Sequence, residues 1–261
     1  MSNLVELTIA PLPVQHTALA ATLTLNRSEQ RNALSLDLLD ALHARLDELA
    51  ARLKAGGSEA PRVVILTGAG KAFCAGMDLR QVLDEPGAPL RLLTLLAEAA
   101  VKLRAIPVPV IAAVNGAAIG GGCGLTTVCD FAVTHADSKM GFPEVDLGVC
   151  PAVVAPWLVR KIGPGRARAM LLRGGLMSGR EAHNTGLVTE CVETREGLDH
   201  AVHGLVERLA AGGPGALGAT KSLLNELDGS LDLELARRCA RISADVLSTA
   251  EAQAALRARL S

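Results

Sequence analysis

The sequence predicts an α/β fold built from parallel strand–helix units and closed by a helical C-terminal region. Two short runs, RVVILTG (62–68) and VPVIAAV (108–114), are apolar on both faces. Strands buried on both faces belong to parallel sheets that helices cover. A Leu/Ala-rich helical pattern over 89–105 separates the two runs, as a parallel crossover requires. From about residue 151 onward nearly every segment carries helical periodicity.

The elements follow in order. Residues 3–10 and 17–26 are β-rich and alternating, and read as two strands joined by a Pro-containing turn. Ser35 opens a helix over 35–54. Leu38, Leu42, Leu46, Leu49 and Leu53 recur along one face, and Gly56–Gly57 end it. A loop with Gly68, Gly70 and Gly76 follows strand 62–68. CGLTTVCD (123–130) has the look of a short helix, and DFAVT (130–134) continues the parallel series. Helices are expected over 152–162, 164–172, 178–185, 196–211, 214–229 and 231–258, with LVTECV (187–192) as the one late strand. A core domain over 1–195 and a C-terminal helical region over 196–261 follow from this pattern.

Composition narrows the function. The 261 residues are 49% hydrophobic and 20% charged, enough for a sizeable core. A net charge of −1 and only three Phe, one Trp and no Tyr argue against nucleic acid as a partner. None of the six cysteines forms a C-x-x-C pair or stands with His at zinc-like spacing, so no metal is expected and the thiols read as reduced and buried. The stretch MSNLVELTIAPLP has no basic segment leading into an apolar one, and no run reaches the ~18 apolar residues of a membrane span. The expectation is a soluble, cytoplasmic protein without membrane contact.

Phosphate-loop, dinucleotide-fingerprint, H-E-x-x-H and G-x-S-x-G patterns are absent. Two glycine-punctuated strand ends remain, TGAGKAFCAGMDL (67–79) and NGAAIGGGCGL (115–125). Ligands in parallel α/β layers bind beyond the carboxyl ends of strands. Glycine lets a ligand approach bare backbone, and a helix start offers unpaired N–H groups. Side by side, two such loops would hold one oxygen between two N–H donors, the arrangement of an oxyanion hole. The same glycines also suit ordinary tight turns. Glu144 lies between Pro143 and Val145 with Phe142 and Leu147 near. An apolar setting would raise its pKa and suit it to proton transfer; a surface carboxylate fits the spacing equally. Asp146 would share its face if the segment were extended.

These segments resemble the crotonase, or enoyl-CoA hydratase/isomerase, superfamily over nearly the whole chain. The matching pieces are LNRSEQRNALS (25–35), VVILTGAGKAFCAGMDL (63–79), PVIAAVNGAAIGGGCGL (109–125), CDFAVTHADSKMGFPEVDLGVCP (129–151) and IGPGRARAMLLRGGLMSGREAHNTGLVTECV (162–192). The resemblance implies a spiral of β-β-α units with C-terminal helices that build a homotrimer or hexamer. It implies an acyl-CoA thioester as substrate, with no further cofactor. By the same resemblance, the catalytic groups are Glu144 and the backbone N–H groups of Ala75 and Gly121. Substrate contacts are implied for Arg31, Ala33, Lys71, Phe73, Gly76, Asp78, Leu79, Gly120 and Gly124. One departure stands out: many hydratases of the family carry a first glutamate where this chain has Gly124. A Δ3-Δ2 isomerase working with Glu144 alone fits that departure, as does a non-catalytic binder of CoA thioesters. The closer resemblance to bacterial methylglutaconyl-CoA-type hydratases, which also carry Gly there, favours hydration.

Overall fold

A computed structural model describes residues 3–12, 18–84 and 87–260. Strands β1 (Val5–Pro11) and β2 (Leu19–Leu25) pair antiparallel; the turn expected between them lies largely outside the described residues. Helix α1 (Leu36–Ala55) follows, capped by Ser35, whose hydroxyl accepts from the Leu38 N–H at 3.2 Å. Its leucine stripe is buried from Leu38 to Leu49, and that burial, not propensity, supplies most of a helix's stability.

From here the chain climbs in repeats. Strands β3 (Val63–Gly68), β5 (Val110–Val114) and β7 (Phe131–His135) join one sheet, while β4 (Ala72–Cys74), β6 (Ala117–Ile119) and β8 (Lys139–Gly141) join a second. Each of β3, β5 and β7 is followed by a strand of the second sheet. Helices α2 (Leu79–Asp84), α3 (Ala88–Arg104) and α4 (Gly121–Val128) return the chain for the next pair. Strands β9 (Leu176–Ser178) and β10 (Glu190–Val192) complete the sheets. The orders are β1-β2-β3-β5-β7-β10 and β4-β6-β8-β9, parallel except where β1 meets β2 and β8 meets β9. This is the expected spiral of β-β-α units. The second sheet was not foreseen, because its strands are three residues long and show no period.

Helices α5 (Ala155–Ile162), α6 (Pro164–Arg173), α7 (Gly179–Thr185), α8 (Leu198–Ala210) and α9 (Pro214–Asp228) match the expected positions. The single helix expected over 231–258 is instead two, α10 (Leu233–Leu247) and α11 (Ala250–Leu260). Thr249 breaks them apart and its hydroxyl accepts from the Ala252 N–H at 3.2 Å. A hydroxyl that caps the next turn competes with helix continuation. The expected strand 187–192 shortens to its last three residues, while Leu187 and Val188 drop into the core.

Charges tie α9 to the sheet. Asp130 accepts from the Val110 N–H at 2.8 Å and from Lys221 Nζ at 2.7 Å, and Arg104 bridges Asp130 and Asp228 at 3.3 and 3.1 Å. Lys221 is buried beside them, and burial pulls its ammonium pKa down. Removing one partner of a buried pair strands the other charge. Asp130→Ala is therefore expected to cost about 3 kcal/mol in urea denaturation. Asp40→Ala, which breaks an exposed pair with Arg91, is expected to cost less than about 1 kcal/mol.

Candidate active site

Two loops meet backbone to backbone. A Cβ on Gly116 would stand 2.1 Å from the Lys71 carbonyl oxygen, and one on Gly76 (φ +92°) would stand 2.9 Å from that of Ile119. No other residue permits this approach. Two asparagines hold the contact. Asn115 Nδ2 donates to the carbonyls of Gly68 and Gly70, and Asn32 Nδ2 donates to those of Ala69, Ala72 and Phe73. Asn32 is fully buried in the left-handed region (φ +56°) and also accepts from the Arg27 N–H at 2.9 Å. The sequence carries no local signal for it; its role follows from the left-handed backbone at Arg31 (φ +51°) and Asn32, which the structure shows.

The loop amides do not all face the same way. The Ala75 N–H donates to the Arg31 carbonyl at 3.0 Å. That corrects its expected role as a donor to substrate. Gly76 interrupts the extended geometry, and beyond it Met77 pairs with Leu34 as an isolated parallel bridge. The bonds run from Leu34 N–H to Gly76 and from Asp78 N–H to Leu34, so the Met77 N–H points away from that strand. It has no hydrogen-bond partner among the described residues. Gly121 is the first residue of α4, and such an amide has no partner within its helix. Met77 and Gly121 line the same cavity. The pair of open donors is Met77 and Gly121.

Glu144 lines that cavity too. It precedes a short 3-10 turn, and its own carbonyl accepts from the Leu147 and Val149 N–H groups at 3.0 and 2.8 Å. Its Oε2 is enclosed with no hydrogen-bond partner among the described residues. Burial pushes the carboxyl up to about 7, and the charge of Asp146 adds to the rise. Gly120, at φ +54°, makes room for it, since a Cβ there would stand 3.0 Å from Oε1. Asp146 does not share this face. The segment turns instead of extending, and Asp146 Oδ2 accepts from the Gly175 N–H at 2.8 Å.

The other predicted contacts divide. Arg31, Ala33, Asp78 and Leu79 line an open groove of about 860 Å³ that also reaches Met77. Asp78 is engaged by Arg27 Nη1 at 2.7 Å, which also reaches the Ala33 carbonyl, so its charge braces the rim. Phe73 is fully buried in the core and Lys71 is exposed outside the groove lining. Gly124 is buried and faces Val154, whose Cγ1 would stand 2.4 Å from a Cβ at 124. It does not line the cavity; Val154 does. Cys123 is enclosed and its thiol is pushed up to about 12 by burial, so it stays protonated at neutral pH.

A carboxyl with a pKa near 7 and two open N–H donors on one cavity can exchange a proton beside a carbonyl oxygen that takes up negative charge. The comparisons narrow that class. A sequence model of the enoyl-CoA hydratase/isomerase family matches residues 16–256, and the chain belongs to this family. It is 37% identical over 217 residues to a putative enoyl-CoA hydratase of Thermus thermophilus, covering 80% of this chain and 81% of the relative. It is 34% identical over 225 residues to the 1,2-epoxyphenylacetyl-CoA isomerase of Escherichia coli, covering 82% and 83%. The solved structure of a putative enoyl-CoA hydratase from Mycobacterium avium paratuberculosis superposes with a TM-score of 0.83 at 31% identity, covering 98% of this chain and 96% of that one. Among the described residues no helix is long and apolar enough to cross a membrane.

The Glu144 carboxyl carries a stability signature. An ordinary glutamate ionises near 4.5 and this one near 7. Between those values the folded chain keeps a proton that the unfolded chain has released. The resulting stability is complete below pH 4.5 and is lost as the pH rises through 7. Glu144→Gln, which cannot ionise, is expected to be more stable than wild type at pH 8 by up to about 3 kcal/mol, with little difference at pH 4. Urea melts at the two pH values check this.

Proposed function

We propose that the protein adds water across the double bond of a 2-enoyl-CoA thioester. One observation carries this reading: a single carboxyl with a pKa raised to about 7 shares a largely apolar cavity with two open backbone N–H donors. The CoA portion lies along the open groove. The thioester carbonyl sits where groove and cavity meet, at Met77, with its oxygen between the Met77 and Gly121 N–H groups. The acyl chain enters the cavity beside Glu144.

Ionised Glu144 takes a proton from water as the water oxygen bonds to C3. The double-bond electrons move onto the carbonyl oxygen, and the enolate is held by the two N–H groups. Protonated Glu144 then gives its proton to C2 as the carbonyl re-forms. H and OH are added, and Glu144 ends as it began, so a second carboxylate is not required. A pKa near 7 keeps both forms accessible at neutral pH. Support comes from relatives named crotonyl-CoA hydratase and 2,3-dehydroadipyl-CoA hydratase, at 35% and 33% identity.

A second reading rests on Gly124 and Val154. Val154 packs onto position 124, where the family resemblance implies a further glutamate in many hydratases, and Glu144 is the one carboxylate lining the cavity among the described residues. A lone carboxylate also suits a shift of the double bond, moving a proton between C2 and C4 without water.

Mass spectrometry separates the two. Incubation with a 2-enoyl-CoA is expected to give a product heavier by one water. Recovery of only a shifted double bond at unchanged mass, from a 3-enoyl-CoA, would replace hydration by isomerisation. Glu144→Gln is expected to lower kcat at least ~100-fold while leaving the circular dichroism spectrum unchanged. The wild-type rate is expected to fall as the pH drops below about 7 and Glu144 takes up its proton.

A further inference from the structure

We propose that Val154 sets the depth of the acyl cavity, and so the length of acyl chain accepted, by seating itself in the notch that Gly124 leaves in α4. The inference rests on reading this cavity as the acyl site. Val154 is buried between two things: the Gly124 Cα on one side and the cavity on the other. A Cβ at 124 would meet its Cγ1 at 2.4 Å and its Cβ at 3.3 Å. Val154 therefore sits as far back from the cavity as the chain allows, and it does so because residue 124 has no side chain.

Neither partner can retreat. All of α4 is buried, and the Gly124 carbonyl accepts from Thr127 Oγ1 at 2.7 Å. The segment leading to Val154 is clamped from α10, where Ser243 Oγ donates to the Cys150 carbonyl at 2.7 Å and accepts from the Ala152 N–H at 3.1 Å. Valine has one side-chain torsion and strong preferences about it. Any atom added at 124 drives Val154 toward the substrate, and any atom removed from 154 deepens the cavity.

The cavity has little room to lose. Its free volume is about 20 Å³, near the minimum for a single water. Its walls include Leu93, Leu96, Val149 and Val153, and among the described residues no Lys, Arg or His lines it. A charged group at the end of the acyl chain would be buried unpaired, at high cost. The fit is to a short, uncharged acyl chain.

The test is kcat/KM over a ladder of straight-chain 2-enoyl-CoA thioesters from four carbons upward. Wild type is expected to be fastest on the four-carbon thioester and to lose about tenfold or more at the next member, since one methylene in an apolar pocket discriminates by that much. Val154→Ala is expected to recover about tenfold on the longer chains. Gly124→Ala is expected to lose about tenfold or more on all of them, and the Gly124→Ala/Val154→Ala double variant to regain it. A Val154→Ala ladder that superimposes on wild type overturns the proposal, as does a folded Gly124→Ala with wild-type values. Should Gly124→Ala not fold, Val154→Ala alone decides. A wild-type protein that turns over no enoyl-CoA at all overturns the reading of the site beneath it.

Discussion

The site depends on one steric constraint: two strand-end loops touch through their backbones with no side chain between them. Gly116 lies against the Lys71 carbonyl and Gly76 against that of Ile119. That approach puts the Met77 amide and the first amide of α4 on the same cavity. The geometry is preorganised, because Asn32 and Asn115 satisfy five loop carbonyls and leave the loops few alternatives. Buried backbone groups demand partners, and here two side-chain amides supply them.

The second organising fact is the burial of Glu144. A carboxylate in water is an indifferent base at neutral pH, and one enclosed by apolar walls has its pKa moved toward 7. The fold gives up stability for this, since ionised Glu144 has an enclosed oxygen without a hydrogen-bond partner. Gly120 is part of the same arrangement, because its missing side chain is the space that Oε1 faces. The raised pKa and the local instability therefore share one cause.

The C-terminal helices are part of the site as well as of the scaffold. Ser243 on α10 lines the cavity and clamps the segment that carries Cys150 and Ala152. Arg237 on the same helix reaches Glu98 on α3 at 2.8 Å, and α3 supplies Leu93 and Leu96 to the cavity wall. Movement of α10 would be felt directly at the cavity wall.

By itself the sequence determined the alternation of apolar strands and amphipathic helices, the caps at Ser35 and in the Gly56 turn, and the two glycine loops with Glu144 beyond them. Those features are local: period, propensity and the glycine requirement act within a few residues. Four things were decided only in three dimensions. The strands of the second sheet are too short to show a period. The break at Thr249 depends on a hydroxyl choosing the next turn over the helix. Which loop amide is open, Met77 and not Ala75, follows from the pairing of Met77 with Leu34, a partner far away along the chain. And the meaning of Gly124, which the sequence shows only as a missing carboxylate, comes from Val154, a residue of another helix boundary that fills the space a side chain would have taken. Hydrogen-bond direction and packed volume are set by contacts across the chain, and no local pattern encodes them.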